Sequence, residues 1–310
     1  MTVDGLDCAA DIVNVALHML RPYLLLIFGV MVCSTAVILI NASNTHPFVQ
    51  AAWRVTLAAL VLIPVAWRDY KKHRAEFTLE HLRRTTFPAV VFALHMITWT
   101  AGARMTIAAQ ASLVVNFAPA AIPFFLHWLV GERINRAEII GTLIALTGVI
   151  ALTVRDAFTG GGSAWGNIVC FISMLLFACY LALGRKNRTF PSIWLYMVPV
   201  YAQASVICVL FSLPWWGTCD FGDTREWVLM IALALLPTVV GHTILNVSMR
   251  HLRGQIVSLC NVGQFVFAGI MAWLLFQQIP PGSFYLASLL VVIGVSIVVF
   301  ASPTSPPRLR

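Results

Sequence analysis

The sequence is short of charge. Of its 310 residues only 10% are Asp, Glu, Lys or Arg, while 60% are apolar and the mean hydropathy is +0.86. That balance excludes a soluble domain of ordinary makeup and marks an integral membrane protein. Acid is scarcest, twelve Asp and Glu against twenty Lys and Arg, and none lies away from the ends of an apolar run. Carboxylate-driven proton exchange and capture of a permanent cation are therefore disfavoured; Trp99 or Tyr180 offers a cation only an aromatic face. The seven cysteines show no pairing or metal spacing and read as small buried hydrophobes. No phosphate-binding Gly-Lys loop is present, so neither direct ATP use nor any cofactor is expected. A membrane enzyme would want a positioned acid and base or a metal cluster. Neither pattern appears, and no enzymatic activity is expected.

What the chain does have is apolar runs of about 20 residues, the length a helix needs to cross a bilayer. They cover 22–40, 47–67, 86–103, 108–130, 137–154, 164–184, 193–216, 226–247, 254–276 and 283–301. The expected fold is all-α and integral to the membrane, with ten transmembrane helices in one bundle. A lead-in over 1–21 contains Asp4, Asp7 and Asp11 and lacks the basic start of a signal peptide. A short tail covers 302–310, and the Gly-rich "TGGGSAWG" at 159–166 is the one flexible seam.

Charge placement sets the orientation. With the N-terminus inside, sixteen of the twenty basic residues fall on cytoplasmic segments, and Arg104, Arg155 and Arg225 fall outside. The positive-inside rule then puts both termini in the cytoplasm of a multi-pass inner-membrane (plasma-membrane) protein. The net charge of +8 reads as topology and contact with anionic membrane lipids, not as nucleic-acid binding. Nothing in the sequence sets an oligomeric state.

The two halves resemble each other. A shift of 145 positions pairs Thr98 with Thr243, Gln110 with Gln255, Asn116 with Asn261, Trp128 with Trp273, Leu129 with Leu274 and Ile134 with Ile279. One further residue of slip brings "TGVI" (147–150) onto "IGVS" (293–296). Five spans per half is an odd number, so the halves 22–155 and 164–301 are expected to be inverted relative to one another.

The blocks "HPFVQAAWRVTLAALVLIP" (46–64), "LHMITWTAGARMT" (94–106), "NFAPAAIPFFLHWLVGERI" (116–134) with "GTLIALTGVI" (141–150), and "GHTILNVSMRHL" (241–252) resemble those of EamA-like permeases in the drug/metabolite transporter superfamily. The likeness runs from about Pro22 to Phe300. It implies a ten-helix inner-membrane carrier of two inverted five-helix repeats, usually exporting amino acids or other small metabolites. The chain departs from the family pattern at Gly263-Gln264-Phe265 and Phe276-Gln277, where the pattern carries acids and this chain carries amides.

Candidate site residues follow from depth and spacing. Asn116 and Asn261 lie roughly 12 Å and 10 Å into their spans from opposite faces, at 1.5 Å per residue. Each amide either bonds a neighbouring helix or flanks a central substrate site. His95 with Trp99, and His242 with Asn246, are four residues apart and share helix faces; they would form the side walls, with Tyr180 beside them. The histidines are the candidates for a protonation switch. Arg54 is the one permanent charge well inside a span; it either snorkels outward or bonds backbone carbonyls, or it is the counter-charge for a substrate carboxylate. Pro119 and Pro123 remove backbone donors and give either a static kink or a gate hinge. Glu132 and Glu138 read as fixing the corner that follows Gly131.

The functional expectation is a secondary transporter of a small polar or zwitterionic, amino-acid-like metabolite, working by alternating access with export as the expected direction. The alternatives are a multidrug exporter of lipophilic compounds and, in a different class, a non-catalytic membrane scaffold or a membrane enzyme.

Overall fold

A computed structural model describes residues 21–106, 111, 114–158, 163–219, 222–276 and 282–301. Residues 1–20 of the lead-in, the tail, Gln110, Gln277, Ile279 and half of the Gly-rich seam (159–162) lie outside these residues. The described chain is helical throughout and contains no strand. In chain order its helices are α1 (Arg21–Ala42), α2 (Pro47–Lys72), α3 (Leu79–Met105), α4 (Ala118–Val130), α5 (Arg136–Phe158), α6 (Ala164–Lys186) and α7 (Ile193–Ser212). After a 3-10 stretch at Leu213–Thr218 come α8 (Thr224–Leu233), a π-helical stretch (Ala234–His242), α9 (Thr243–His251), α10 (Gly254–Val262), α11 (Gln264–Phe276) and α12 (Gly282–Ala301). Seven helices among the described residues are long and apolar enough to cross a membrane, and further apolar helices are shorter. This is a multi-pass membrane protein.

Local chemistry places the helix starts. The side chains of Ser163, Ser192 and Asp223 accept from the backbone N–H groups of Gly166 (3.2 Å), Trp194 (3.1 Å) and Arg225 (2.8 Å). Each satisfies a donor that the first turn leaves without a partner. Before α5, Asn135 and Glu138 form a reciprocal cap, each side chain accepting from the other's backbone N–H at 2.8 Å. Gly131 closes α4 with φ of 73°, a left-handed conformation that a side chain would strain.

The bundle is apolar on both sides. Its interior packs α3 against α6 and α7, α2 against α7, and α4 against α6 and α10, around buried residues such as Phe92, Met96, Ile122, Leu181 and Met197. Its outer surface shows Leu60, Phe124, Trp128, Phe171, Leu210, Leu289 and Phe300, which suits lipid and would be untenable in water. Trp128 and Trp273 both point outward. Helices α5 and α12 meet through small residues. A Cβ on Gly148 would lie 2.8 Å from Leu290 and 2.9 Å from the Ala287 carbonyl, and Gly141 and Gly294 each leave room for the other's backbone. Gly148 and Gly294 are the glycines of the two matching "GV" pairs, so the repeat marks this close crossing.

Candidate functional site

Four interruptions of the helices surround one cavity. Helix α1 breaks at Ser34, a turn at Phe117 precedes α4, the π-helical stretch separates α8 from α9, and α10 gives way to α11 at Gly263. Irregular backbone is tolerated at membrane depth only where protein or a cavity satisfies it, and Ser34, Pro237 and Gln264 from these breaks line the cavity. The breaks before α4 and after α10 follow Asn116 and Asn261 within two residues. Pro119 thus sits in the first turn of α4 and starts a helix; it is not a mid-helix kink, and only Pro123 lies inside the helix. Gly263 interrupts the second half close to where Phe117 interrupts the first.

The cavity has an empty volume of about 680 Å³, its open mouth included. Asn116, Asn261, His95, Trp99, His242 and Arg54 all line it, together with Cys33, Phe177, Gln264 and Phe265. Residues that are remote in sequence, and that were picked out by depth and spacing alone, thus meet in one place. Asn246 and Tyr180 do not line it. They form a row behind it, with Asn246 Nδ2 donating to the Tyr180 hydroxyl and to the His242 carbonyl, both at 2.8 Å. Tyr201 also lies behind, its hydroxyl donating to the Thr238 carbonyl at 3.2 Å.

The polar geometry is specific. His95 Nδ1 is 3.0 Å from the Ser173 carbonyl and 2.9 Å from the Ser173 hydroxyl. The ring stacks on Phe177 at 5.0 Å and lies 6.3 Å from the His242 ring. Gln264 Nε2 donates to Asn261 Oδ1 at 2.5 Å. An amide pair thus occupies this part of the cavity wall. Arg54 does not snorkel. It is 1% exposed, and its Nε donates to Thr238 Oγ1 at 2.5 Å, while its Nη1 has no hydrogen-bond partner. Thr238 sits in the π-helical stretch and donates its own proton to the Leu233 carbonyl at 3.0 Å, so its hydroxyl is committed as an acceptor to Arg54.

At the end of the bundle where basic residues cluster lie two buried ion pairs. Glu132 Oε2 accepts from Arg185 Nε at 3.0 Å, and its Oε1 accepts from the Gly254 N–H at 3.2 Å. Arg185 Nη1 donates to the Met249 and Leu252 carbonyls at 2.8 and 2.9 Å. Glu138 holds Arg253 through Nε and, at 2.9 Å, through Nη2. These hydrogen bonds raise the Arg253 pKa above its ordinary value against the opposing effect of burial. The two acids do fix the corner after Gly131, but they do so by bridging to the other half of the chain. The sequence marks Arg185 and Arg253 only as orientation signals, because nothing in their spacing links them to Glu132 and Glu138. At the opposite end, Glu226 accepts from Ser43 Oγ (2.5 Å), Thr45 Oγ1 (2.8 Å) and the Asn44 N–H (3.0 Å), and so clasps the α1–α2 turn.

A larger space, about 1060 Å³, lies between α4 and α6 and is lined only by apolar side chains such as Phe117, Phe124, Phe171 and Met174. Phe124 and Phe171 face outward there. It is an open groove on the apolar surface, and the smaller cavity is where polar groups converge. Among the described residues no group of His, Cys, Asp or Glu could hold a metal.

Comparison with known proteins bears on this arrangement. The EamA-like transporter family matches residues 20–154 and again 164–300. The chain belongs to the EamA-like transporter family. Similar members include a WAT1-related protein of Arabidopsis thaliana, 32% identical over 155 residues, covering 46% of this chain and 40% of that one. The pseudopaline exporter CntI of Pseudomonas aeruginosa is 23% identical over 190 residues, covering 60% and 64%. The matches thus span less than two thirds of either relative. Inner membrane protein YtfF of Escherichia coli is 23% identical over 286 residues, covering 83% and 88%. A solved structure shares the fold with a TM-score of 0.75 at 16% identity, covering 90% of this chain and 96% of that one. For this EamA-like chain, the cavity is lined by residues drawn from both matched segments.

Proposed function

We propose that the chain is a secondary carrier moving a small polar or zwitterionic metabolite across the inner membrane by alternating access, with export as its direction. The observation that carries this reading is the single cavity in which Asn116 from one half and Asn261 from the other converge with His95, Trp99, His242 and Arg54. Amides supply donors and acceptors without fixed charge, which suits a ligand of no net charge. Interrupted helices meeting at the repeat interface are the usual setting for substrate sites in inverted-repeat carriers. The two family matches, one per half, support ten spans in two inverted five-helix repeats. The Glu132–Arg185 and Glu138–Arg253 pairs lie at the basic end, which this reading takes as the cytoplasmic one. Asn246 and Tyr180 position His242 from behind, and Pro123 serves as the hinge of α4. A lipophilic-compound exporter is the second reading, favoured only by the apolar groove between α4 and α6.

The test is reconstitution of the full chain in liposomes loaded with labelled amino acids, related metabolites and lipophilic dyes. Flux of at least one polar class above empty vesicles supports the carrier. Flux of lipophilic dyes alone selects the second reading, and no flux of any class counts against both.

A further inference from the structure

Arg54 is out of place by the ordinary rules for buried charge. A guanidinium at 1% exposure normally faces a carboxylate or a set of carbonyls. This one has only the Thr238 hydroxyl on Nε, and Nη1 has no hydrogen-bond partner among the described residues. Among the described residues no acid forms an ion pair with it. The last Asp or Glu in the sequence is Glu226, and its carboxylate is held by Ser43, Asn44 and Thr45 at one end of the bundle. The other described buried acids, Glu132 and Glu138, are engaged with Arg185 and Arg253. The remaining ionisable lining groups are His95, His242 and Cys33, none of which supplies a fixed negative charge.

We propose that the free edge of Arg54 is an anion-recognition site, and that the ligand of the cavity is a compact carboxylate that needs no ammonium group. The inference rests on the carrier reading for its transport arm alone, and it replaces the uncharged or zwitterionic solute of that reading with an organic anion. Three features carry it. Arg54 lines the cavity together with apolar faces from Trp99, Phe177 and Phe265. A carboxylate matches the planar donor fork of arginine. An ammonium, in contrast, finds only neutral acceptors, the amides of Asn116, Asn261 and Gln264, the Ser34 hydroxyl and the histidine ring nitrogens, with Gln264 already bonded to Asn261. The remainder of the ligand therefore meets apolar walls and neutral donors.

The test uses purified full-length protein and three matched sets: benzoate, isovalerate and 3-phenylpropionate, each with its amide and its amine analogue. Equilibrium dialysis should show at least one carboxylate bound tenfold or more tightly than its amide and amine. In R54Q the carboxylate and the amide should bind within about twofold of each other, and R54K should retain a carboxylate preference. Melting separates recognition from a structural role: R54Q should melt at or above the wild-type temperature, because a buried charge without a counter-charge is destabilising. Equal binding of carboxylates, amides and amines by wild type, binding of none, or an unchanged preference in R54Q would overturn the proposal. The wild-type arm decides even if R54Q does not fold. Flux in liposomes is read separately: carboxylate binding without flux leaves the anion site standing and defeats the carrier, while flux of solutes without carboxylate preference does the reverse.

Discussion

Glu132 and Arg185 meet through a 3.0 Å ion pair that joins the two family-matched segments of the chain, with both side chains almost fully buried. The contact lies 53 positions apart in sequence, and it is reinforced by the Gly254 N–H on Glu132 and by the Met249 and Leu252 carbonyls on Arg185. A pair so enclosed acts as a latch between the halves.

Removing one partner should expose the cost of the other. Glu132→Ala leaves the Arg185 charge buried without its carboxylate, and breaking such a pair typically costs about 3 kcal/mol. The double variant E132A/R185M should recover part of that loss. Thermal melting of the detergent-purified single and double variants checks this; equal losses that simply add would show that the two residues are not coupled.

The α5–α12 crossing should tolerate no added bulk. Gly141→Leu and Gly294→Leu force apart backbones that approach through these glycines, with an expected loss of about 1–3 kcal/mol. Gly217→Ala is the control, since a Cβ there meets nothing within 4 Å. Melting temperatures should fall for the first two variants and stay level for the third.

Much of this was legible beforehand. Helices begin at Pro47, Ala164, Ile193 and Gly254, where apolar runs were expected to begin, because the bilayer imposes one length and one composition. Asn116, Asn261, His95, Trp99 and His242 could be picked out because a polar side chain at mid-depth is rare enough to stand out. The direction of Arg54 could not be read, since a long side chain reaches either way until Thr238 is placed beside it. The Glu–Arg pairs were hidden by a rule that already explained the basic residues. Ser34 carries no sequence signal of its helix break, whereas Pro237 inside the π-helical stretch was one that went unread.

At the far end, Glu226 should govern the order of the α1–α2 turn. Glu226→Ala removes the acceptor for the N–H groups of Asn44 and Thr45 and for two hydroxyls. Local opening should become easier, and amide exchange at residues 43–45 should speed up at least tenfold, while α3 and α6 exchange as in wild type. Unchanged exchange at these residues would show that the clasp does not hold the turn.

The central claim is that solute is held between the halves at the Asn116 and Asn261 cavity, and its most direct test is flux in liposomes containing wild type, N116L or N261L at equal protein content. Each substitution removes an amide whose packing contribution is only about 1 kcal/mol, so both variants should remain folded and abundant. The account predicts flux well above empty vesicles for wild type and near-background flux for both variants. Wild-type rates in both would contradict it.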